Sequence, residues 1–257
     1  MTYSIPDEGL AVGHIAELFD GIQGEGVFAG YHHAFIRFAG CSLGCRYCDT
    51  EYAQVRDRPL LILRSGRTVV KQIANPVDDT IIARELESLL DTTTSINAIS
   101  ITGGEPLEQP RFLRAVLKSI ETFELPVLLE TNGVEFENLD QVLDLIDLIS
   151  ADIKLPSTSG RDDLWERHEA FLNAARYKQV AIKMAVDEST QPEEIERAAR
   201  IIRATTDEAP VFLQPVTDAA GAITISYRHI MDLCDVCAVF NSDVRVMPQI
   251  HKILGSP

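Results

Sequence analysis

The sequence has no run of about 18 apolar residues and no charged-then-apolar leader, so neither a membrane-spanning helix nor a secretory signal peptide is expected. A soluble, cytoplasmic protein follows as the expectation. Positive charge is scarce: 23 Lys and Arg face 39 Asp and Glu, for a net charge of −16. That balance argues against a nucleic-acid backbone or an anionic membrane as the main partner. It leaves room for a small anionic substrate held by a few local basic groups. Cysteine is also scarce, and five is an odd count too low for a disulfide scaffold in 257 residues. Internal repeats, low-complexity tracts and flexible linkers are absent. With 46% apolar residues, enough for an ordinary core, the chain 1–257 is expected to form one domain, with residues 1–12 as a loose extension.

What is present is an alternation of short apolar runs and amphipathic stretches. Strands are expected at Ala34–Phe38, Ala98–Thr102, Val127–Glu130, Leu148–Ile153, Val180–Ala185, Val211–Gln214 and Val244–Met247, each rich in Val, Ile, Leu or Phe. Helices are expected between them. Asp79 is placed to cap Thr80–Leu90, with Ile82, Leu86, Leu89 and Leu90 as its stripe. Pro110–Thr122 puts Phe112, Leu113, Val116, Leu117 and Ile120 on one face. Thr190 precedes the helix start Pro192-Glu193-Glu194. Repeated β-then-α units imply right-handed crossovers and a parallel sheet. About six such units fall short of the eight of a closed TIM barrel, so the fold class is α/β, an open partial (βα)6 TIM-like barrel. Residues 59–77 break the rhythm: Leu60–Leu63, a turn at Arg64-Ser65-Gly66-Arg67, then Thr68–Val70 describe a small β-hairpin insertion.

Three of the five cysteines lie within eight residues, Cys41-Ser42-Leu43-Gly44-Cys45-Arg46-Tyr47-Cys48, with spacing C-x3-C-x2-C. Three thiolates on one loop can hold three irons of a [4Fe–4S] cluster and leave the fourth open to a substrate. They could instead hold zinc with a histidine, and His32 and His33 lie upstream. Cys234 and Cys237 form a C-x2-C that could be a redox or metal motif. Their surroundings look like the buried end of a helix, where cysteines commonly serve as core residues.

In parallel α/β folds, ligands bind at the carboxyl ends of the strands. Cys41 follows Ala34–Phe38 within three residues. Thr102-Gly103-Gly104-Glu105-Pro106, Glu130-Thr131-Asn132-Gly133, Asp152-Ile153-Lys154 and Gln214-Pro215 end four further strands. One Gly-Gly or Asn-Gly is an ordinary tight turn. Five polar strand ends gathered on one rim beside a cysteine loop indicate a site.

The cysteine spacing followed by Gly103-Gly104-Glu105-Pro106 resembles the radical S-adenosylmethionine (SAM) superfamily, over Gly13 to Pro257. Phe19-Asp20-Gly21-Ile22-Gln23-Gly24-Glu25-Gly26, Gly30, Phe35–Cys41, Cys48-Asp49-Thr50 and Pro248-Gln249-Ile250-His251-Lys252 narrow the resemblance to the 7-carboxy-7-deazaguanine synthases. The resemblance implies conversion of 6-carboxy-5,6,7,8-tetrahydropterin to 7-carboxy-7-deazaguanine with loss of ammonia, on the path to queuosine and related deazapurines. It implies a [4Fe–4S] cluster, SAM and Mg²⁺ as cofactors, a flavodoxin or ferredoxin reductant, and a homodimer.

It also implies roles. Cys41, Cys45 and Cys48 would hold the cluster and Thr50 would give an oxygen to Mg²⁺. Tyr47, Cys48, Asp49, Gly104, Glu105, Asp152, Ile153, Lys154, Gln214, Pro215 and Val216 would face SAM. Gln23, Gly24, Glu25, Arg37, Thr102, His251 and the carboxylate of Pro257 would hold the pterin, with Arg37 paired to the substrate carboxylate. Deletion of Ser256-Pro257 is then expected to impair pterin binding more than SAM cleavage. The insertion at 59–77, and Asp152-Ile153-Lys154 where family members often have Ser-Pro-Lys, are departures. Two other functions share parts of the pattern. A radical SAM activase that installs a glycyl radical in a partner enzyme has the same cysteine loop and Gly-Gly-Glu-Pro. A non-catalytic iron–sulfur or zinc protein leaves Gly103–Pro106 without a purpose.

Overall fold

The computed structural model describes residues 11–64, 68–206, 208–218 and 221–255. Ten strands form one sheet among these residues: β1 (Ile15–Ile22), β2 (His32–Phe38), β3 (Leu60–Arg64), β4 (Thr68–Ile73), β5 (Ala98–Gly103), β6 (Val127–Thr131), β7 (Leu148–Asp152), β8 (Gln179–Val186), β9 (Val211–Pro215) and β10 (Val244–Val246). From β2 through β5, β6, β7, β8 and β9 to β10 the pairing is parallel and follows chain order. Six crossovers join these strands, and β10 and β4 end the sheet unpaired with each other. The open partial barrel read from the sequence is therefore the fold.

Alternation along the strands sorts the residues. Ile36, Ile101, Leu129, Ile149, Ile182 and Leu213 point outward and are fully buried beneath the helices. Their neighbours Arg37, Thr102, Glu130, Ser150, Asp152, Lys183 and Gln214 point into the barrel. The register sets Arg37 beside Thr102 and Asp152 beside Lys183. One parity builds the core and the other builds the site.

The helices are α1 (Asp79–Leu90), α2 (Pro110–Ile120), α3 (Trp165–Ala175), α4 (Pro192–Thr205), α5 (Tyr227–Ala238) and a short α6 (Ile250–Leu254). On α2 the expected stripe of Phe112, Leu113, Val116, Leu117 and Ile120 is buried, each side chain contributing about 1.5–3 kcal/mol. A 3-10 turn at Glu121–Phe123 then ends the helical segment. One helix start differs from expectation by one residue: Asp78, not Asp79, caps α1 by accepting from the Ile81 amide at 3.0 Å. α4 starts at Pro192 as expected, with Gln191 at its N-cap and the Gln191 amide donating to Glu194 Oε2 at 3.0 Å.

Two features of the first eighty residues depart from the sequence reading. β1 was not expected; it pairs antiparallel with β2 and parallel with β3. The expected hairpin, β3–β4, is present and continues the main sheet beyond β1. Its tip, at residues 65–67, lies outside the described residues, as does most of the proposed extension, residues 1–10. Val12 belongs to structure: Val12–Gly13 pairs with Val77–Asp78.

Candidate active site

The inward-facing polar residues converge on a cleft of about 540 Å³ at the carboxyl ends of the strands. Cys41, Cys45 and Cys48 all line it, each half-buried. Their loop is fixed by backbone bonds rather than by its own side chains. Glu105 N donates to Gly40 O at 2.7 Å, Gly104 N to Phe38 O at 2.9 Å and Arg46 N to Ser159 O at 3.3 Å. A Cβ on Gly104 would stand 2.1 Å from Gly40 O, so only glycine lets the two strand ends close this tightly. Burial pushes the Cys41 and Cys45 thiols up.

The zinc alternative does not survive the geometry. His32 and His33 begin β2 and the cysteine loop follows its end, so a strand about 20 Å long separates them. His33 Nδ1 pairs with Ser100 Oγ at 2.8 Å and His32 with Ser95 and Asp20. Cys237 is fully buried on α5 and Cys234 packs beside it against the core, as ordinary core residues.

Most of the residues singled out by sequence line the cleft: Gln23, Gly24, Glu25, Arg37, Tyr47, Asp49, Thr50, Thr102, Gly104, Asp152, Lys154, Gln214, Val216 and His251. Glu105, Ile153 and Pro215 do not. Ile153 and Pro215 are buried, and Ile153 belongs to the core behind the sheet. Glu105 is fully buried, and its carboxylate accepts from Thr131 Oγ1 at 2.9 Å, Leu107 N at 3.0 Å and Asn132 N at 2.7 Å. Its side chain braces two strand ends. Pro257 lies outside the described residues.

Asp49 ties the cleft to the C-terminal segment: its carboxylate accepts from Gln249 Nε2 at 3.0 Å and pairs with Lys252 at 2.9 Å. Gly24 meets the same segment. Ile250 N donates to Gly24 O at 3.1 Å, and a Cβ on Gly24 would overlap His251.

The charged groups of the cleft are ordered in pairs. Arg37 Nε donates to Glu17 Oε2 at 3.0 Å, Tyr52 OH reaches the same oxygen at 2.8 Å, and the guanidinium lies 5.3 Å from the centre of the Phe19 ring. Lys154 Nζ bonds Asp152 Oδ2 at 2.6 Å and Tyr47 OH at 2.9 Å. Burial alone would lower the Lys154 pKa, but Asp152, Tyr47 and Cys45 together outweigh it and keep the ammonium charged. Asp152 Oδ1 is buried with no hydrogen-bond partner among the described residues. Gln23 Nε2 donates to Glu130 Oε1 at 2.8 Å, and burial together with Glu25 pushes Glu130 up. His168 binds the Lys154 amide at 3.0 Å and Gly133 O at 2.9 Å, which requires the proton on Nδ1.

Sequence reasoning passed over Lys183, Glu17 and Gln249, and assigned no role to Glu130. The signal for Lys183 was legible: a lone charge inside Val180-Ala181-Ile182-Lys183-Met184-Ala185 must be paired or functional when its strand is buried. Glu17 was missed together with its strand.

Residues 35–202 match the radical SAM superfamily. A 7-carboxy-7-deazaguanine synthase of Geobacter sulfurreducens is 38% identical over 242 residues, covering 94% of this chain and 96% of the relative. One from Methanopyrus kandleri is 34% identical over 251 residues, covering 97% and 95%. Among solved structures, QueE from Escherichia coli superposes with a TM-score of 0.58 over 93% of this chain and 94% of that one, at 20% identity, a likeness of fold. With the cysteine loop, the Gly103–Pro106 strand end and the cleft in place, the chain belongs to the radical SAM superfamily and, within it, to the 7-carboxy-7-deazaguanine synthases.

Proposed function

We propose that this chain converts 6-carboxy-5,6,7,8-tetrahydropterin to 7-carboxy-7-deazaguanine and ammonia by radical ring contraction. The observation that carries the proposal is that one cleft is lined both by the three cysteines with Gly104 and by Gln23–Glu25, Arg37, Thr102 and His251. Family membership brings a [4Fe–4S] cluster and SAM, and the residues fit both. Three half-buried cysteines on the wall suit a cluster with one open iron. The unpartnered Asp152 Oδ1 offers an acceptor for a hydroxyl such as those of a ribose. When bound, the cluster and SAM together supply a 5′-deoxyadenosyl radical for hydrogen abstraction.

The protein's own part is placement. Arg37, held by Glu17 and by the Phe19 ring, presents a planar cation for the substrate carboxylate. Lys154, pinned between Asp152 and Tyr47, fixes the SAM side of the floor. The clasp of Asp49 on Gln249 and Lys252 holds the C-terminal segment beside the cleft, which restricts water. Thr50 Oγ1, which lines the cleft next to Cys48, is the proposed protein oxygen for Mg²⁺, an ion that keeps most of its waters.

A flavodoxin or ferredoxin reductant, a homodimer and a cytoplasmic setting belong to the same proposal and rest on resemblance to the family. Exposed Tyr227 and Met231 on α5 give an apolar face of the kind dimers cover. No helix among the described residues is long and apolar enough to cross a membrane. The test is anaerobic turnover with 6-carboxytetrahydropterin, SAM, dithionite and Mg²⁺. Formation of 7-carboxy-7-deazaguanine is expected; 5′-deoxyadenosine without it would keep the superfamily and discard the substrate.

A further inference from the structure

Lys183 and Glu25 set a hydrogen-bond donor directly beside an acceptor on the cleft wall. Lys183 sits on β8, level with Asp152 on β7 and Phe212 on β9. Its Nζ lies 2.7 Å from Glu25 Oε2 and 3.5 Å from Asp152 Oδ2. An ammonium has three donors and no acceptor, so two carboxylate partners leave one N–H for the cleft. Glu25 can be counted in the same way. A carboxylate offers about four acceptor positions. Gln214 Nε2 and Gln249 Nε2 both reach Oε1, at 3.0 and 2.8 Å, and Lys183 takes one position on Oε2. Among the described residues one position on Oε2 has no donor, next to the spare Lys183 N–H.

We propose that Glu25 and Lys183 together read an N–H/C=O edge of the substrate ring, with Lys183 as the residue that sets the polarity of that reading. The inference rests on the pterin assignment above and adds to it a specificity residue. A lactam presents its N–H and its carbonyl oxygen side by side in one plane, the complement of an acceptor 2.7 Å from a donor. An amidine edge of the same shape presents a ring nitrogen beside an amino group. There the amino group would face the ammonium and the ring lone pair would face the carboxylate. Both contacts repel, and the site rejects the analogue.

The surrounding charges keep this polarity fixed at neutral pH. Burial would lower Lys183, but Glu25 and Asp152 outweigh it, against an opposing effect of Lys154. Burial would raise Glu25, but Lys183 and His251 bring it down to about 2.

Two probes with the same bicyclic frame and carboxylate separate the possibilities: 6-carboxypterin, which has the lactam edge, and 2,4-diaminopteridine-6-carboxylic acid, which has the amidine edge. Each is titrated by its own fluorescence onto the anaerobic holoenzyme with SAM present. The wild-type protein is expected to bind 6-carboxypterin about 10- to 100-fold more tightly. Lys183→Met is expected to reduce that ratio to within about 3-fold, chiefly by weakening the pterin. Because Lys183→Met leaves Glu25 uncompensated, the doubly substituted E25Q/K183M protein is measured as well. It removes both charges, and iron content and circular dichroism report its integrity. Its ratio is expected to collapse in the same way. Equal affinity of the wild type for the two probes, or an unchanged ratio in both variants, would overturn the inference. Failure of the wild type to bind either probe while it still cleaves SAM would remove the pterin assignment itself.

Discussion

The Glu105 carboxylate accepts the backbone amide of Asn132 at 2.7 Å, joining the strand end that carries Gly103-Gly104 to the one that carries Asn132-Gly133. Burial pushes this carboxyl up to about 7, against the pull of Asn132, Leu107 and Thr131. The folded pKa lies above the ordinary 4.5, so the protonated form is favoured by folding. Its contribution to stability is fully present below 4.5 and is lost as pH rises through about 7, by up to about 3 kcal/mol. Glu105→Gln cannot titrate, and its amide hydrogens face donors, at a cost of about 1–3 kcal/mol. Urea denaturation from pH 4.5 to 8 is therefore expected to show the wild type more stable at low pH and the two curves converging above 7. Parallel curves would contradict the assignment.

Arg37 tests the proposed contact with the substrate carboxylate. Lys in its place keeps the charge but loses the planar fork and the packing over Phe19. Arg37→Lys is expected to raise KM for the pterin about 10- to 100-fold, equivalent to about 1.4–3 kcal/mol. Formation of 5′-deoxyadenosine without pterin should be nearly unchanged. Glu17→Gln, which leaves Arg37 with a neutral partner, should give a smaller effect of the same kind. Steady-state kinetics with both products quantified distinguishes these outcomes, and equal loss of SAM cleavage would place Arg37 elsewhere in the chemistry.

The two groups of cysteines should respond differently. Cys41→Ala, Cys45→Ala and Cys48→Ala are each expected to lower bound iron and abolish SAM cleavage, because three thiolates are the minimum for the site. Cys237→Ala should leave iron content unchanged and lower stability by about 1–2 kcal/mol through lost packing, since the side chain is fully buried. Cys234→Ala, only partly buried, should cost less. Iron analysis and thermal denaturation on the same preparations decide it, and iron lost from Cys237→Ala would restore a metal role for that pair.

The parallel strands were legible in the sequence because each is a short, largely apolar run, buried beneath the helices on one face and turned into the barrel on the other. β5, for example, extends only one residue beyond its expected span, to Gly103. The rim was legible too, since polar residues ending such runs have few other uses. Less visible was anything determined by pairing across long distances. Ile15–Ile22 contains Glu17 and Asp20 and runs into the Gln23–Glu25 turn, so its strand character is masked by the motif it carries. Resemblance places Glu105 at the SAM site, as part of the Gly103–Pro106 stretch, and says nothing of where its side chain goes. Its side chain is drawn away by three donors from residues 107, 131 and 132, and no local pattern announces that. Placement on the cleft was readable where backbone parity or a local motif aims the residue, and the direction of the Glu105 side chain, set by those three donors, was not.

Gln249 is the residue through which the C-terminal segment senses the cleft. Its Nε2 donates to Glu25 Oε1 at 2.8 Å and to Asp49 Oδ2 at 3.0 Å, so one amide joins the Gln23–Glu25 turn to the end of the cysteine loop. Gln249→Leu preserves bulk but removes a donor from each carboxylate, a loss of about 1–3 kcal/mol where the acceptor is buried. The Glu25 side chain is 12% exposed and Asp49 is 40% exposed, so most of that loss falls on Glu25. Pterin KM is expected to rise about 10-fold, consistent with about 1.4 kcal/mol, with a smaller change in kcat. Lys252→Ala removes only the ion pair to Asp49, which is open to solvent and therefore contributes no more than about 1 kcal/mol, sensitive to salt. Kinetics in low and high salt should show a salt-dependent defect for Lys252→Ala and a salt-independent one for Gln249→Leu. If both defects vanish in high salt, the amide bridge is no more than a surface contact.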